Sequence, residues 1–349
     1  MFNLTTIRGN RQLHKWLSII IGVPIVFIIA TGIFLQLRKP VDWIQPPLVK
    51  GAAKYDPSIQ LEQVLSSVES VPSMDVEGWK DIKVLDVRPK QGTIKVRNFK
   101  ELETQVDAET GDVLQTRQRL NDIVSDWHEG NNRFTRLFIY LPIKIGFLLV
   151  FVTGVVLNFK MSVKSLKRSK NKSAAKKETP IANKKPLKIR LRGLLLKYHA
   201  WLGWVVLIPW AFVISSGLLL QVRHEVPWVM PKLQTGQGTT PKVEIIELFE
   251  AAKRYPEYGV SEWKDVWRIY VYPNKGVSTV RAKNRNELQF DSQTGELLQA
   301  QVRRADFLED LHEGKLADIG LVDMNLWLFL PVNILSLVLW LTGFLVLFR

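Results

Sequence analysis

The sequence predicts a membrane-spanning helical protein with two small water-facing α+β domains, built as one unit repeated in parallel: helix, domain, helix. Three observations predict it: four apolar runs of spanning length, the placement of positive charge between them, and an internal repeat at an offset of 184 to 185 residues.

The runs are Leu17–Leu37, about Leu137–Phe159 with Lys144 inside it, Ala200–Val222, and about Met324–Phe348. At 1.5 Å per helical residue each can cross a hydrocarbon core about 30 Å thick. The first is too long for a signal-peptide core and reads as an uncleaved span. Trp16, Trp43, Trp201, Trp228 and Trp327 sit at or near the run ends, where interface aromatics gather.

The net charge of +15 would suit nucleic acid, but its placement argues for topology. Residues 160–197, between the second and third runs, carry 14 Lys or Arg against the single acid Glu178. Arg8, Arg11 and Lys15 precede the first run, and Arg349 follows the last. By the positive-inside rule both termini and the 160–197 linker are cytoplasmic. The linker is rich in Lys, Ser, Asn and Pro and reads as largely disordered. The expected boundaries are 1–37 (N-terminus and span one), 38–136 (first domain), 137–159, 160–197, 198–222, 223–323 (second domain) and 324–349. No nucleic-acid partner is expected; the lipid bilayer is.

The repeat is detailed. His14-Lys15-Trp16-Leu17 answers His199-Ala200-Trp201-Leu202, and Pro24, Gly32 and Gln36 answer Pro209, Gly217 and Gln221. Trp79-Lys80-Asp81 answers Trp263-Lys264-Asp265, and Asp107-x-x-Thr110-Gly111 answers Asp291-x-x-Thr294-Gly295. His128-Glu129-Gly130 answers His312-Glu313-Gly314. After a five-residue insertion, Thr153-Gly154 answers Thr342-Gly343. Both units start in the cytoplasm, so their pseudo-twofold axis would lie along the membrane normal.

Each intervening segment opens with a helical pattern: Leu61, Val64, Leu65, Val68, then Ile245, Leu248, Phe249, Ala252. Alternating stretches follow at 82–88, 92–99 and 103–107, and again at 267–272, 277–282 and 287–290, separated by Gly-containing turns. The Asp-x-x-Thr-Gly segments read as turns with Gly111 and Gly295 left-handed.

Four of the five histidines are repeat partners. His14 and His199 open spans one and three; His128 and His312 lie on the far side, before spans two and four. A twofold axis lets the members of each pair face one another. Paired imidazoles at two depths suit two haems of b type. Gly32 and Gly217 each follow their histidine by 18 residues, five helical turns or about 27 Å, which would set a notch beside the far-side pair. The bland readings are interface anchors for the histidines and helix packing for the glycines. His224 has Lys39 as its partner and reads as a surface or substrate-side residue. Lys144, opposite Asn333, is a functional candidate as an intramembrane charge, or a snorkelling lysine. The absence of cysteine excludes disulfides, iron–sulfur clusters and covalently attached haem.

In these motifs the chain resembles the PepSY-associated transmembrane family, iron-regulated proteins linked to siderophore uptake. Leu-His14-Lys-Trp-Leu-Ser, Tyr-His199-Ala-Trp-Leu-Gly, Trp-His128-Glu-Gly, Leu-His312-Glu-Gly, the Thr-Gly pairs and Asp-x-x-Thr-Gly-x-x-Leu carry the resemblance. It implies a bacterial inner-membrane location, PepSY-like domains in the periplasm, and haem b on the iron ligands His14, His128, His199 and His312. It further implies electron transfer to a periplasmic ferric siderophore. No nicotinamide or flavin fingerprint is present, so electrons would come from a partner reductase or a quinol. The rival readings are a non-redox protein whose PepSY-like domains bind or inhibit a partner, and a transporter suggested by the repeat with Pro24 and Pro209.

Overall fold

The structure is a computed structural model that describes residues 6–174, 187–320 and 322–347. The elements in chain order are α1 (Ile7–Gln36), α2 (Leu61–Glu69), β1 (Ile82–Arg88), β2 (Thr93–Asn98), β3 (Leu102–Asp107), β4 (Val113–Gln118), α3 (Leu120–Glu129), α4 (Leu141–Ala174), α5 (Leu187–Val205), α6 (Leu207–Gln221), α7 (Ile245–Lys253), β5 (Val266–Tyr272), β6 (Val277–Ala282), β7 (Asn286–Asp291), β8 (Leu297–Val302), α8 (Arg304–His312) and α9 (Leu330–Leu347). They form a helical unit, 1–37 with 124–222 and 308–349, and a sheet unit, 38–123 with 223–307.

In the helical unit, Ile7–Gln36, Thr135–Lys167 and Asn325–Leu347 are long and apolar enough to cross a membrane, among the described residues. Ile189–Val205 and Leu207–Gln221 together meet the same requirement but bend by 65° between them. The third run was expected as one span from 200 to 222; it breaks at Val206. Pro209 lacks the N–H that would bond the Val205 carbonyl, and Gly203 weakens the turn before it. Pro24 holds the equivalent place in α1, which runs unbroken. Helix α1 packs on α4 and α9, α5 on α9, and α4 on α6. The shared interior holds Ile21, Ile25, Ile28, Trp210, Ile214 and Val332. Ile20, Val23, Ile208 and Trp327 stand 68–76% exposed, as lipid-facing side chains do.

The two ends of the linker, 160–174 and 187–197, are helical where disorder was expected. Helix α4 continues through Ala174 and α5 begins at Leu187. Residues 175–186 lie outside the described residues.

The sheet unit holds one antiparallel sheet in the order β4-β3-β2-β1-β5-β6-β7-β8. Two small domains were expected, one per half; their four-stranded sheets join edge to edge, with Leu85, Asp86 and Val87 opposite Val271, Tyr270 and Ile269. An exposed sheet edge leaves backbone groups unpaired, and each half covers the other's. The halves share register: Leu85 faces Val96, and Ile269 faces Val280. The amphipathic helices α2 and α7 bury Val64, Leu65, Val68, Leu248, Phe249 and Ala252 against Val87, Ile94, Val96, Ile269, Val280 and Leu288. The Glu244 carboxylate caps α7 and also accepts from the Leu61 N–H at 2.8 Å, tying the two helix starts together.

The Asp-x-x-Thr-Gly turns form as expected. Gly111 and Gly295 take φ of 83° and 72°, a left-handed conformation that a side chain would strain. The preceding aspartates organise the turns: Asp107 Oδ1 accepts from the N–H groups of Glu109 and Thr110, and Asp291 Oδ1 from those of Gln293 and Thr294.

The sheet also buries charge. Glu103, fully buried, binds Lys95 at 2.6 Å and also Arg119; Arg119 in turn holds Asp122 through two bonds of 3.0 Å. The other half repeats this with Glu287, Arg281, Arg303 and Asp306.

Candidate cofactor site in the helical unit

All four repeat-partner histidines belong to the helical unit. Helix α1 carries His14 and α5 carries His199. His128 and His312 end α3 and α8, short helices that the sequence reading did not separate from the segments before spans two and four. The structure brings them together in twos: ring centroids are 6.3 Å apart for His14 and His199, and 6.3 Å for His128 and His312.

Each imidazole is fixed by the same device. Nδ1 of His14 lies 3.0 Å from the Val150 carbonyl oxygen and 3.0 Å from Thr153 Oγ1. For His199 the partners are the Leu339 carbonyl at 3.0 Å and Thr342 Oγ1 at 3.1 Å. For His312 they are the Val213 carbonyl at 2.9 Å and Ser216 Oγ at 3.1 Å. His128 meets Thr31 Oγ1 at 3.0 Å and the Ile28 carbonyl. The hydroxyls have already committed their hydrogens to carbonyls of their own helices: Thr31 to Phe27 and Ile28, Thr153 to Leu149 and Val150, Ser216 to Phe212, Thr342 to Leu339. A carbonyl oxygen only accepts. Nδ1 therefore carries the hydrogen on all four rings, and Nε2 is left with its lone pair.

A glycine follows each hydroxyl residue and lies against the ring. A Cβ added at Gly32 would come within 3.2 Å of His128 Cε1, and one at Gly217 within 2.9 Å of His312 Cε1. At Gly154 it would meet His14 Cε1 at 3.2 Å, and at Gly343 His199 Cε1 at 2.9 Å. Gly32 and Gly217 thus lie where the 18-residue spacing set them, beside the other pair's imidazoles. Gly154, Gly343 and all four hydroxyls were not read as site residues. Their signal was present as a Thr-Gly or Ser-Gly dipeptide in each apolar run.

The geometry fits a metal shared within each pair. A first-row ion binds an imidazole nitrogen at about 2.0–2.1 Å. The centre of a five-membered ring with bonds near 1.33 Å lies about 1.1 Å behind its nitrogen. Two imidazoles on opposite sides of one ion would therefore put their centroids about 6.4 Å apart, against the observed 6.3 Å. Among the described residues no group of three or more His, Asp or Glu converges on one point. Bare ions ordinarily take three or four protein ligands. Two imidazoles suit a group that brings its own in-plane donors, as haem does.

Beside the His128–His312 pair, the Lys144 ammonium donates to Gln221 Oε1. Gln221 donates its amide hydrogens to the carbonyls of Glu129 at 2.8 Å and Arg136 at 3.0 Å. The equivalent positions hold a neutral pair, Asn333 donating to Gln36 at 3.0 Å. Arg136 lies in a π-helical turn, Thr135–Tyr140, matched by Asn325–Phe329 before α9; such turns often mark functional places in helices. His224 belongs to the sheet unit, where Arg223 Nε reaches its Nε2 at 3.4 Å.

No curated protein matches the chain. The family model described as the PepSY-associated TM region matches residues 11–349, nearly the full length and all four paired histidines. The chain is a membrane protein of the PepSY-associated transmembrane family.

Proposed function

We propose that the chain is a di-haem b inner-membrane oxidoreductase. It would carry electrons from the cytoplasmic side or the quinol pool to a periplasmic ferric siderophore. The observation that carries this reading is the twice-repeated imidazole pair at 6.3 Å with Nδ1 locked as donor. His14 and His199 would hold one haem and His128 and His312 the other, and bound haem supplies one-electron chemistry at iron. The residues around them orient rather than react. Val150, Leu339, Val213 and Ile28 set the tautomer, the four hydroxyls set ring angle, and Gly32, Gly154, Gly217 and Gly343 leave room at the ring edge. Backbone acceptors of this kind also raise ligand basicity.

In this reading α5 and α6 together make the third of four spans, both termini and the linker lie in the cytoplasm, and 38–123 and 223–307 face the periplasm. Each electron converts one ferric chelate to its ferrous form. Ferrous iron binds hard oxygen donors more weakly and leaves the siderophore. A quinol or two-electron reductase serves two ferric chelates per turnover, and a quinol's two protons are released on oxidation.

The test is an absorption spectrum of the detergent-purified protein, oxidised and dithionite-reduced, with a pyridine haemochrome for stoichiometry. Sharp low-spin haem b bands at two haems per chain are expected, with oxidation of the reduced protein on adding a ferric hydroxamate. Haem-free protein, after expression with ample haem, would overturn the reading in favour of a non-redox binding or inhibitory protein.

A further inference from the structure

The two histidine pairs match in spacing, in Nδ1 partners and in glycine contacts, and differ in the charged side chains near them, Lys144 among them. Near the far-side pair, Gln221 accepts from the Lys144 ammonium and donates to the carbonyl of Glu129, the residue after His128. Glu129 and Glu313 follow the two histidines in the chain; Glu313 is paired with Lys315 at 2.5 Å.

Lys144 is half-buried and bonded within the helical unit. A snorkelling lysine sends its head to the water interface. This one donates to Gln221, which two backbone carbonyls fix in turn. The repeat offers a chain that did without the charge: Asn333 occupies the same place and pairs with Gln36. An ionised side chain in a membrane segment is costly and marks function when it is retained.

We propose that Lys144 makes the electron path directional, by raising the reduction potential of the haem held by His128 and His312 above that of the haem held by His14 and His199. The inference rests on the haem reading above. Reduction adds one negative charge at the iron, and a fixed positive charge nearby favours it. In a low-dielectric interior that preference is far larger than in water. Gln221 is the positioning residue, because its carbonyl oxygen aims the ammonium.

The experiment is a spectroelectrochemical titration of the full-length protein, wild type against Lys144→Met, Lys144→Gln and Lys144→Arg. His128→Ala identifies which haem component belongs to the far-side pair. Lys144→Met should favour oxidation of that component at least tenfold, a fall of 59 mV for one electron. The other component should move by less than a quarter of that, and Lys144→Arg should stay near wild type. Lys144→Gln, which can still bond Gln221, carries the same expectation as Met and serves if Met fails to load. Two haems with unchanged or equally shifted potentials in the neutral variants would overturn the role of Lys144 and leave the haem reading standing. A haem-free wild type would overturn both.

Discussion

Nδ1 of His312 lies 2.9 Å from the carbonyl oxygen of Val213, and the same carbonyl is three residues before the hydroxyl of Ser216 that shares the hydrogen. That spacing recurs as Ile28 and Thr31, Val150 and Thr153, Leu339 and Thr342. A helix presents residues i and i+3 on one face, so a carbonyl and a hydroxyl from one turn can clamp one ring nitrogen. The clamp gives each imidazole a defined tautomer, with the lone pair on Nε2.

In the proposed haem reading the histidines should therefore fail in pairs. His14→Ala and His199→Ala should each remove one haem per chain and leave the other spectroscopically intact. His128→Ala and His312→Ala should remove the complementary one. Pyridine haemochrome ratios near one per chain, with two distinct residual spectra, are the expected result. A single substitution that empties both sites would show that the pairs are not separate.

The glycines give a steric test. A methyl at Gly343 would sit 2.9 Å from His199 Cε1, inside any normal contact. Overpacking of this kind costs about 1–3 kcal/mol. In the proposed reading, haem at the His14–His199 pair should then bind about tenfold more weakly, since 1.4 kcal/mol is a factor of ten. Gly193→Ala, on α5 with nothing within 4 Å of the added carbon, should leave haem content unchanged. Haem retention during gel filtration distinguishes the two.

Much of this was legible in the chain, for stated reasons. The four apolar runs and the lysine block follow from bilayer thickness and insertion energetics, which act on composition alone. The pairing of His14 with His199 and His128 with His312 followed from the repeat. What stayed hidden depends on tertiary context. The meeting of β1 with β5 leaves no local mark, because Leu85 and Val271 look like any buried strand residues. Strands β4 and β8 sit at the sheet edges and read as polar. The hydroxyl of Thr153 could be known as an imidazole acceptor only once α1 lay against α4. The bend at Val206 needed Gly203 and Pro209 together, since Pro24 alone does not break α1.

The buried charges of the sheet unit predict acid sensitivity. Burial raises the Asp122 carboxyl, but Arg119, bonded to both its oxygens, and Arg97 outweigh this and hold it down to about 2. Its ordinary value is 3.8, so folding favours the ionised form. That contribution, about 2 kcal/mol at 1.36 kcal/mol per unit, is full above pH 3.8 and is lost as pH falls through about 2. Asp122→Asn should lower stability at pH 7 and flatten the acid limb of a stability–pH curve. Glu103→Gln should cost more, about 3–5 kcal/mol, because it leaves Lys95 at 1% exposure beside Arg119 without a carboxylate. Thermal denaturation across pH 2–7 measures both.

Topology can be tested cleanly because the chain has no cysteine. Lys197 and Glu109 are both exposed, one on α5 beside the basic linker and the other in the Asp107 turn of the sheet unit. If the basic block holds the linker in the cytoplasm, Lys197→Cys should resist a membrane-impermeant maleimide in spheroplasts and react only after lysis. Glu109→Cys should react in intact spheroplasts. Neither exchange touches a histidine, glycine or hydroxyl of the paired sites, so haem content serves as the control for folding. Labelling of both from outside would put an even number of spans between them and the assigned topology would fall. Labelling of Lys197→Cys alone would invert it, placing the His14–His199 pair on the outer side and reversing the direction of electron flow.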